Sequence, residues 1–366
     1  MKRFLLTALA GFLLSAPSWA QTNLPLNLIK LPPDFKISVF AQVPNARSMA
    51  VVPELDAVFV GNRRGHRLFV ATGVQGAGAA ANVAQIASGL KSPNGIAWKG
   101  GHLYVAEQHR VFRLKVPALD SIGQHEPEIL FDKLPDKGWH GWRYIAFDTL
   151  GRLHVAVGAP CNICRVNGLE GTIIRLTGNN QAKIIARGVR NSIGIDFHPH
   201  TGHMYFTDNG ADNMGDLVPP DELNHATRDG LHFGYPVFGG GTARTGQFRS
   251  HALPANNTPP VVEFGAHAAA LGVHFYRGAQ FPEDYRNDAF VAQHGSWSRS
   301  DPFGYRVMRI RVDAAGKVLG KEVFAEGWLQ DGQAWGRPVD IKELPDGSLL
   351  VSDDEAEVIY RIWYGG

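Results

Sequence analysis

One unit recurs along this chain. It is an apolar strand, a turn carrying Gly or Asp-Gly, and then an alternating strand that ends on a polar residue. The copies read SMAVVPELDAVFVGN from Ser48, NGIAWKGGHLYVAEQ from Asn94, WRYIAFDTLGRLHVAVG from Trp142 and SIGIDFHPHTGHMYFTDNG from Ser192. GVHFYRGAQFPEDYRNDAFVAQHG from Gly272 and RPVDIKELPDGSLLVSDD from Arg337 complete the set. The first four begin 46, 48 and 50 residues apart, and the last two gaps lengthen to 80 and 65.

A period near 45–50 residues with strand–turn–strand signals predicts a β-propeller. Each copy supplies two strands of a blade. HRVFRLKV, GTIIRLTG, YRVMRIRV and VIYRIWY read as the next strand of their blades. Six copies predict an all-β, six-bladed ring, with FKISVFAQV near the N-terminus pairing with the last blade to close it. No long helical periodicity is present. A two-sheet sandwich with insertions is the alternative, and six copies are too many for one sandwich. In a propeller, loops from equivalent ends of different blades converge on one mouth of the central channel. Polar residues distant in sequence can therefore meet there.

Composition agrees with strands and tight turns: 42 of 366 residues are glycine and 19% are charged. A net charge of +2, with basic residues scattered, points away from nucleic acid and acidic membrane surfaces. Residues 1–20 read as a cleavable export signal: Lys2-Arg3, the apolar run FLLTALAGFLL and a small-x-small site at Ser18-Trp19-Ala20. Cleavage after Ala20 leaves residues 21–366 as the propeller, periplasmic or secreted. No Cys follows to carry a lipid, and no later segment is apolar enough to insert in a membrane. The two cysteines, Cys161 and Cys164 in CNIC, suit a local disulfide in an exported protein. The spacing also fits half a zinc site or a redox pair. Arg165 stands where a c-type haem motif needs His.

Candidate chemistry is concentrated in three places. From Asp208 to Tyr235 the chain is acidic and rich in Gly and Pro, and reads as a functional loop. Asp212, Asp216, Asp221 and Glu222 offer carboxylates, and the glycines let backbone carbonyls turn inward, as a hard cation such as calcium requires. His140, in KGWHGWRYIAF, opens the third copy and can serve as a general base. Arg190-Asn191 opens the fourth copy at the blade position of Asn94 and Arg337. With Arg299, these arginines suit an anionic ligand. No HxH or HExxH spacing supports a transition-metal site.

The stretches GWHGWRYIAFDTLGRLHVAVGAPCNIC, ARGVRNSIGIDFHPHTGHMYFTDNGAD, PPDELN, FGYP, VAQHGSWSRSDPFGYRVMRI and RPVDIKELPDGSLLVSDD, in this order, resemble the soluble pyrroloquinoline quinone-dependent sugar dehydrogenases. The sorbosone dehydrogenase-like branch is the nearest. The resemblance covers most of the chain and implies a six-bladed propeller. It implies that His140 takes the substrate hydroxyl proton and that Arg190 stabilises charge at the quinone carbonyl. Asn191 and Arg337 would contact the cofactor, with Arg299 in place of a family lysine; Asn94, by its blade position, is expected to join them. The backbone carbonyls of Gly210 and Ala211, with Asp221, Glu222 and Tyr235, would hold calcium. Val339 stands where the family carries a second cofactor arginine.

The implied activity is oxidation of an aldose or sugar aldehyde, with electrons passed to an external quinone or cytochrome. Two other classes fit parts of the sequence. A calcium-dependent propeller lactonase would use Asn94, Glu107 and Asn191 around a central ion, and a binding-only propeller would show no redox activity.

Overall fold

The computed structural model describes residues 5–6, 24–76 and 78–365. The expected export signal therefore lies outside the described residues, apart from Leu5–Leu6.

Six antiparallel sheets form the blades. Blade one runs from Ala46–Val52 on the inside through Ala57–Asn62 and Arg67–Thr72 to Asn82–Ser88. Blade two is Gly95–Lys99, His102–Ala106, Val111–Lys115 and Glu128–Phe131. Blade three is Ile145–Phe147, Leu153–Val157, Thr172–Gly178 and Gln181–Arg187. Blade four is Ile195–Phe197, Met204–Asp208, Pro220–Ala226 and Val262–Ala266. Blade five is Ala270–Phe275, Ala289–Gln293, Arg306–Val312 and Val318–Glu326. Blade six takes Pro338–Glu343, Leu349–Asp353 and Val358–Tyr364 from the C-terminus and Phe35–Gln42 from the N-terminus. That last pairing, with Phe35 opposite Tyr364 and Val39 opposite Tyr360, closes the ring as expected. The innermost strands of successive blades touch all the way round.

Strand alternation explains why the runs are apolar on both faces. In Ala57–Asn62, Ala57 and Phe59 pack towards blade two, while Val58 and Val60 pack towards blade six. In His102–Ala106, Leu103 and Val105 face blade one, and Tyr104 and Ala106 face blade three. The same period of two gives one apolar cluster at each of the six blade–blade junctions. The apolar core thus lies between blades, and the channel axis is left to polar groups.

One expectation is corrected. The acidic stretch after Asp208 is not one long loop, because Pro220–Ala226 is the third strand of blade four. Asp221, Glu222 and Asn224 are buried within it. Backbone N–H groups satisfy the carboxylates: Gly210 and Ala270 donate to Asp221, and Gly241 donates to Glu222. The chain between this strand and Val262 returns to blade three, where Leu231–His232 adds a parallel edge strand to Ala186–Arg187.

Candidate active site

In an antiparallel blade, the start of the first strand lies beside the end of the second. These two positions build one mouth of the channel. Arg47, Asn191 and Arg337 come from first-strand entries. Arg63-Arg64, Asn209-Gly210 and His294-Gly295 follow second strands. Together with Trp139, His140 and Trp142 they line a cavity of about 530 Å³.

His140 is held from three sides. Its backbone is left-handed (φ 50°). The fully buried Arg143 pins the same loop, donating to the carbonyls of His140, Gln108 and Pro135. Behind it, Gly158 leaves room: a Cβ there would lie 2.5 Å from the His140 Cβ. The ring's Nδ1 is 2.9 Å from the Ala159 carbonyl, and the Trp139 indole N–H donates to Nε2 at 3.1 Å. This pattern fixes the proton on Nδ1 and leaves the lone pair on Nε2. Burial, with Arg190 nearby, holds the imidazole well below its usual 6.5, so it is neutral at working pH. A neutral, oriented imidazole whose Nε2 is capped at the cavity wall by the half-exposed Trp139 can serve as a general base once that cap is displaced.

The other wall is cationic. Arg190 donates to the Asn162 carbonyl and Oδ1, the Asp212 carboxylate and the Asn209 carbonyl. Arg47 is neutralised by Asp354, which also accepts from His294 at 2.7 Å. Arg63, Arg64 and Arg337 line the cavity with no carboxylate within 4.0 Å among the described residues. Arg63 lies 3.5 Å over the Trp142 ring. Burial, with Arg47 and Arg64 beside it, lowers its pKa to about 9. Guanidinium groups crowded in this way favour an anionic ligand such as a carboxylate or a phosphate. Asn191, also lining the cavity, keeps a buried Oδ1 with no partner, as a ligand contact would require.

Beneath Arg190, Asp208, Asp221 and Glu222 are buried without an ion-pair partner among the described residues. Burial raises them to about 7, 6 and 8 respectively; backbone N–H groups oppose the rise in all three, and neighbouring carboxylates add to it for Asp208 and Glu222. Such a set favours a cation, although no group of three His, Cys, Asp or Glu side chains among the described residues is arranged to hold a metal unaided. Gly210 reaches the cavity wall, whereas Ala211 is fully buried, its N–H on the Gly239 carbonyl. The Tyr235 hydroxyl is engaged elsewhere, accepting from the Cys164 N–H at 3.0 Å. Asp216 accepts from the Ser300 N–H instead of facing the cavity. The cysteines form the disulfide.

Two expected cofactor residues are not brought to the cavity. Asn94 is completely buried and acts one step back, accepting from Arg47 Nε at 3.0 Å and donating to the Arg143 carbonyl at 2.7 Å. Arg299 lies over the Phe303 ring, its Nε buried and unpartnered. Val339 packs into the apolar junction of blades three and four, with Ile193 and Leu271. Sequence reasoning missed Arg47, Arg63, Arg64 and His294. The available signal was positional: Arg47 precedes its Ser48 as Arg190 precedes Asn191-Ser192, and Arg63-Arg64 follow a second strand as His294 does.

Residues 107–361 match the family model described as "Glucose / Sorbosone dehydrogenase". The chain belongs to the glucose/sorbosone dehydrogenase family. The matched segment omits blade one, which donates Arg47, Arg63 and Arg64. Over 368 residues this family member is 33% identical to an uncharacterised protein of Borreliella burgdorferi, covering 96% of this chain and 95% of the other. Two solved structures share its fold. One is the holo form of the pyranose dehydrogenase PQQ domain from Coprinopsis cinerea (TM-score 0.75, 17% identity, 92% and 97% of the two chains covered). The other is the calcium structure of a Trichoderma reesei carbohydrate-active enzyme of family AA12 (TM-score 0.77, 17% identity, 92% and 97% covered).

Proposed function

We propose that this family member is an exported, calcium-containing quinoprotein that oxidises an aldose or sugar aldehyde with pyrroloquinoline quinone. The observation that carries the reading is the cavity itself, with a neutral, oriented His140 on one wall and carboxylate-free arginines on the other. Pyrroloquinoline quinone is a planar tricarboxylate. Arg63, Arg64 and Arg337 are of the right type to pair with its carboxylates, and the unpartnered Asn191 Oδ1 can accept from a ring N–H. The charge absent at Val339 is supplied from blade one. Bound there, the quinone supplies a two-electron acceptor.

His140 then takes the hydroxyl proton of the sugar on Nε2, while the Ala159 carbonyl stabilises the imidazolium through Nδ1–H. Arg190 has one N–H left for a ligand and offers it where negative charge develops. Calcium would be held beside Arg190 by Asp221 and Glu222 with backbone carbonyls of Gly210, Ala211 and Tyr235. Each carboxylate oxygen that accepts one N–H keeps a second lone pair for the ion, and the carbonyls would complete the oxygen set. Electrons leave to an external quinone or cytochrome. The pyranose dehydrogenase and calcium-containing relatives in fold support the choice of cofactor and ion.

The lactonase reading needs a ring of free carboxylates around a central ion. Glu107 is instead tied to Arg110 and the Lys91 N–H, and the arginines would have no role. Equilibrium titration of the purified protein with pyrroloquinoline quinone in calcium tests the proposal. Saturable binding at one site per chain supports it. No binding, together with hydrolysis of aldonolactones, would replace it with the lactonase reading.

A further inference from the structure

Arg190 carries five N–H donors, and the structure accounts for four. Nε donates to the Asn162 carbonyl at 3.0 Å. Nη2 donates to Asn162 Oδ1 and Asp212 Oδ2, both at 2.8 Å, and Nη1 donates to the Asn209 carbonyl at 3.1 Å. Asn162 alone supplies two acceptors on adjacent edges of the guanidinium. Two such contacts fix the plane of the group, and with it the direction of the one N–H left over.

Asn162 is held in turn. It sits inside the four-residue ring that the Cys161–Cys164 disulfide closes. Its Nδ2 donates to the Asp212 carbonyl at 2.9 Å, and its Oδ1 also accepts the Asp212 N–H at 2.8 Å. The Tyr235 hydroxyl binds both ends of the turn, accepting from the Cys164 N–H at 3.0 Å and donating to the Asn162 carbonyl at 3.3 Å. The Cys161 Sγ lies 3.4 Å from the same hydroxyl. Gln247 donates to the Ile163 carbonyl at 3.0 Å. All four residues of the turn are half-buried rather than sealed in the core.

We propose that Asn162 is the positioning residue for Arg190 and that the Cys161–Cys164 disulfide is the clasp that keeps it in place, which makes turnover sensitive to dithiols. The inference rests on the reading that Arg190 acts at the cofactor. Reduction is balanced by the reductant: a dithiol delivers two electrons and two protons, forms its own disulfide, and leaves Cys161 and Cys164 as free thiols. The opened turn no longer constrains Asn162, and the guanidinium loses its fixed plane. Misplacement of a reacting group by about 1 Å can cost on the order of 10²-fold in rate.

The test reads Arg190 itself. In protein labelled with ¹⁵N-arginine, its Nε–H resonance is assigned by its loss in Arg190→Lys. The protein is then treated with dithiothreitol until two free thiols are counted. The resonance is expected to shift or broaden on reduction, and Asn162→Ala, with the disulfide intact, is expected to produce the same change. With quinone and calcium supplied, kcat should fall about 10-fold or more on reduction. KM for the sugar should stay within about two-fold, and reoxidation should restore turnover. An unchanged Arg190 resonance in fully reduced protein overturns the proposal. So does an unchanged resonance in Asn162→Ala, even if the reduced protein unfolds. A resonance that responds, in a protein that turns over no sugar in either state, upholds the positioning role and removes the dehydrogenase reading instead.

Discussion

The Trp139 indole N–H donates to the Nε2 of His140 at 3.1 Å, occupying the lone pair that a general base would use. Trp139 is 53% exposed, and its indole N–H makes no other hydrogen bond among the described residues. In the proposed mechanism it is a displaceable cap over His140, and a sugar hydroxyl would compete with it. Trp139→Phe keeps the ring and removes the donor. Because a hydrogen bond contributes about 1 kcal/mol net, kcat/KM should rise by roughly two- to five-fold. A fall of that size, measured under steady-state conditions, would show that the N–H instead serves the substrate.

Gly158 sets the depth of His140. The Cβ of Gly158→Ala would meet the His140 Cβ at 2.5 Å and its carbonyl oxygen at 2.8 Å, so the loop must move. Turnover should fall about 10-fold with cofactor affinity retained. His140→Ala should lower kcat by roughly 10²-fold or more, again with affinity retained. Normal turnover in His140→Ala would remove that residue from the chemistry.

The pH dependence has a definite sign. Burial first, and Arg190 second, keep the His140 imidazole neutral below its usual value. The proposed base is therefore in its proton-accepting form at neutral pH and would be lost only as pH falls through the lowered value. The acid limb of kcat/KM should lie below pH 6.5 and disappear in His140→Ala. A limb at or above 6.5 that survives the substitution would assign it to another group.

Charge at the mouth separates two arginines. Arg63 lines the cavity without a carboxylate partner, and Arg299 does not line it. Arg63→Ala should weaken quinone binding by about 10-fold or more, and the loss should shrink in high salt. Arg337→Ala should weaken it in the same direction. Arg299→Ala should leave affinity within about two-fold, as measured by the same titration. The reverse order would place the anion on the blade-five side.

The fold was legible because its signal is local and repeated. Each copy carries its own strand, turn and strand, and FKISVFAQV had no other apolar edge to join. His140, Arg190 and Arg337 were legible because they stand next to first strands in motifs shared with a known family. Arg63-Arg64 were not, since a doublet in GNRRGH reads as an ordinary surface turn until six blades bring second-strand ends to one mouth. Asn94 occupies the right blade position, but its amide is consumed by Arg47 and Arg143. The DELN carboxylates looked like loop ligands because polar residues in a strand carry no apolar alternation. Their partners are backbone N–H groups from Gly210, Gly241 and Ala270, which no sequence pattern announces. Asn162 was hidden inside CNIC, where attention falls on the cysteines.

The most direct test is reconstitution of the purified protein with pyrroloquinoline quinone and calcium, following reduction of an artificial dye across a panel of aldoses, sorbosone and simple alcohols. The account predicts a saturable, sugar-dependent rate that requires the quinone and is lost in His140→Ala. Tight quinone binding with no reduction of the dye by any sugar, or no binding at all, would contradict it.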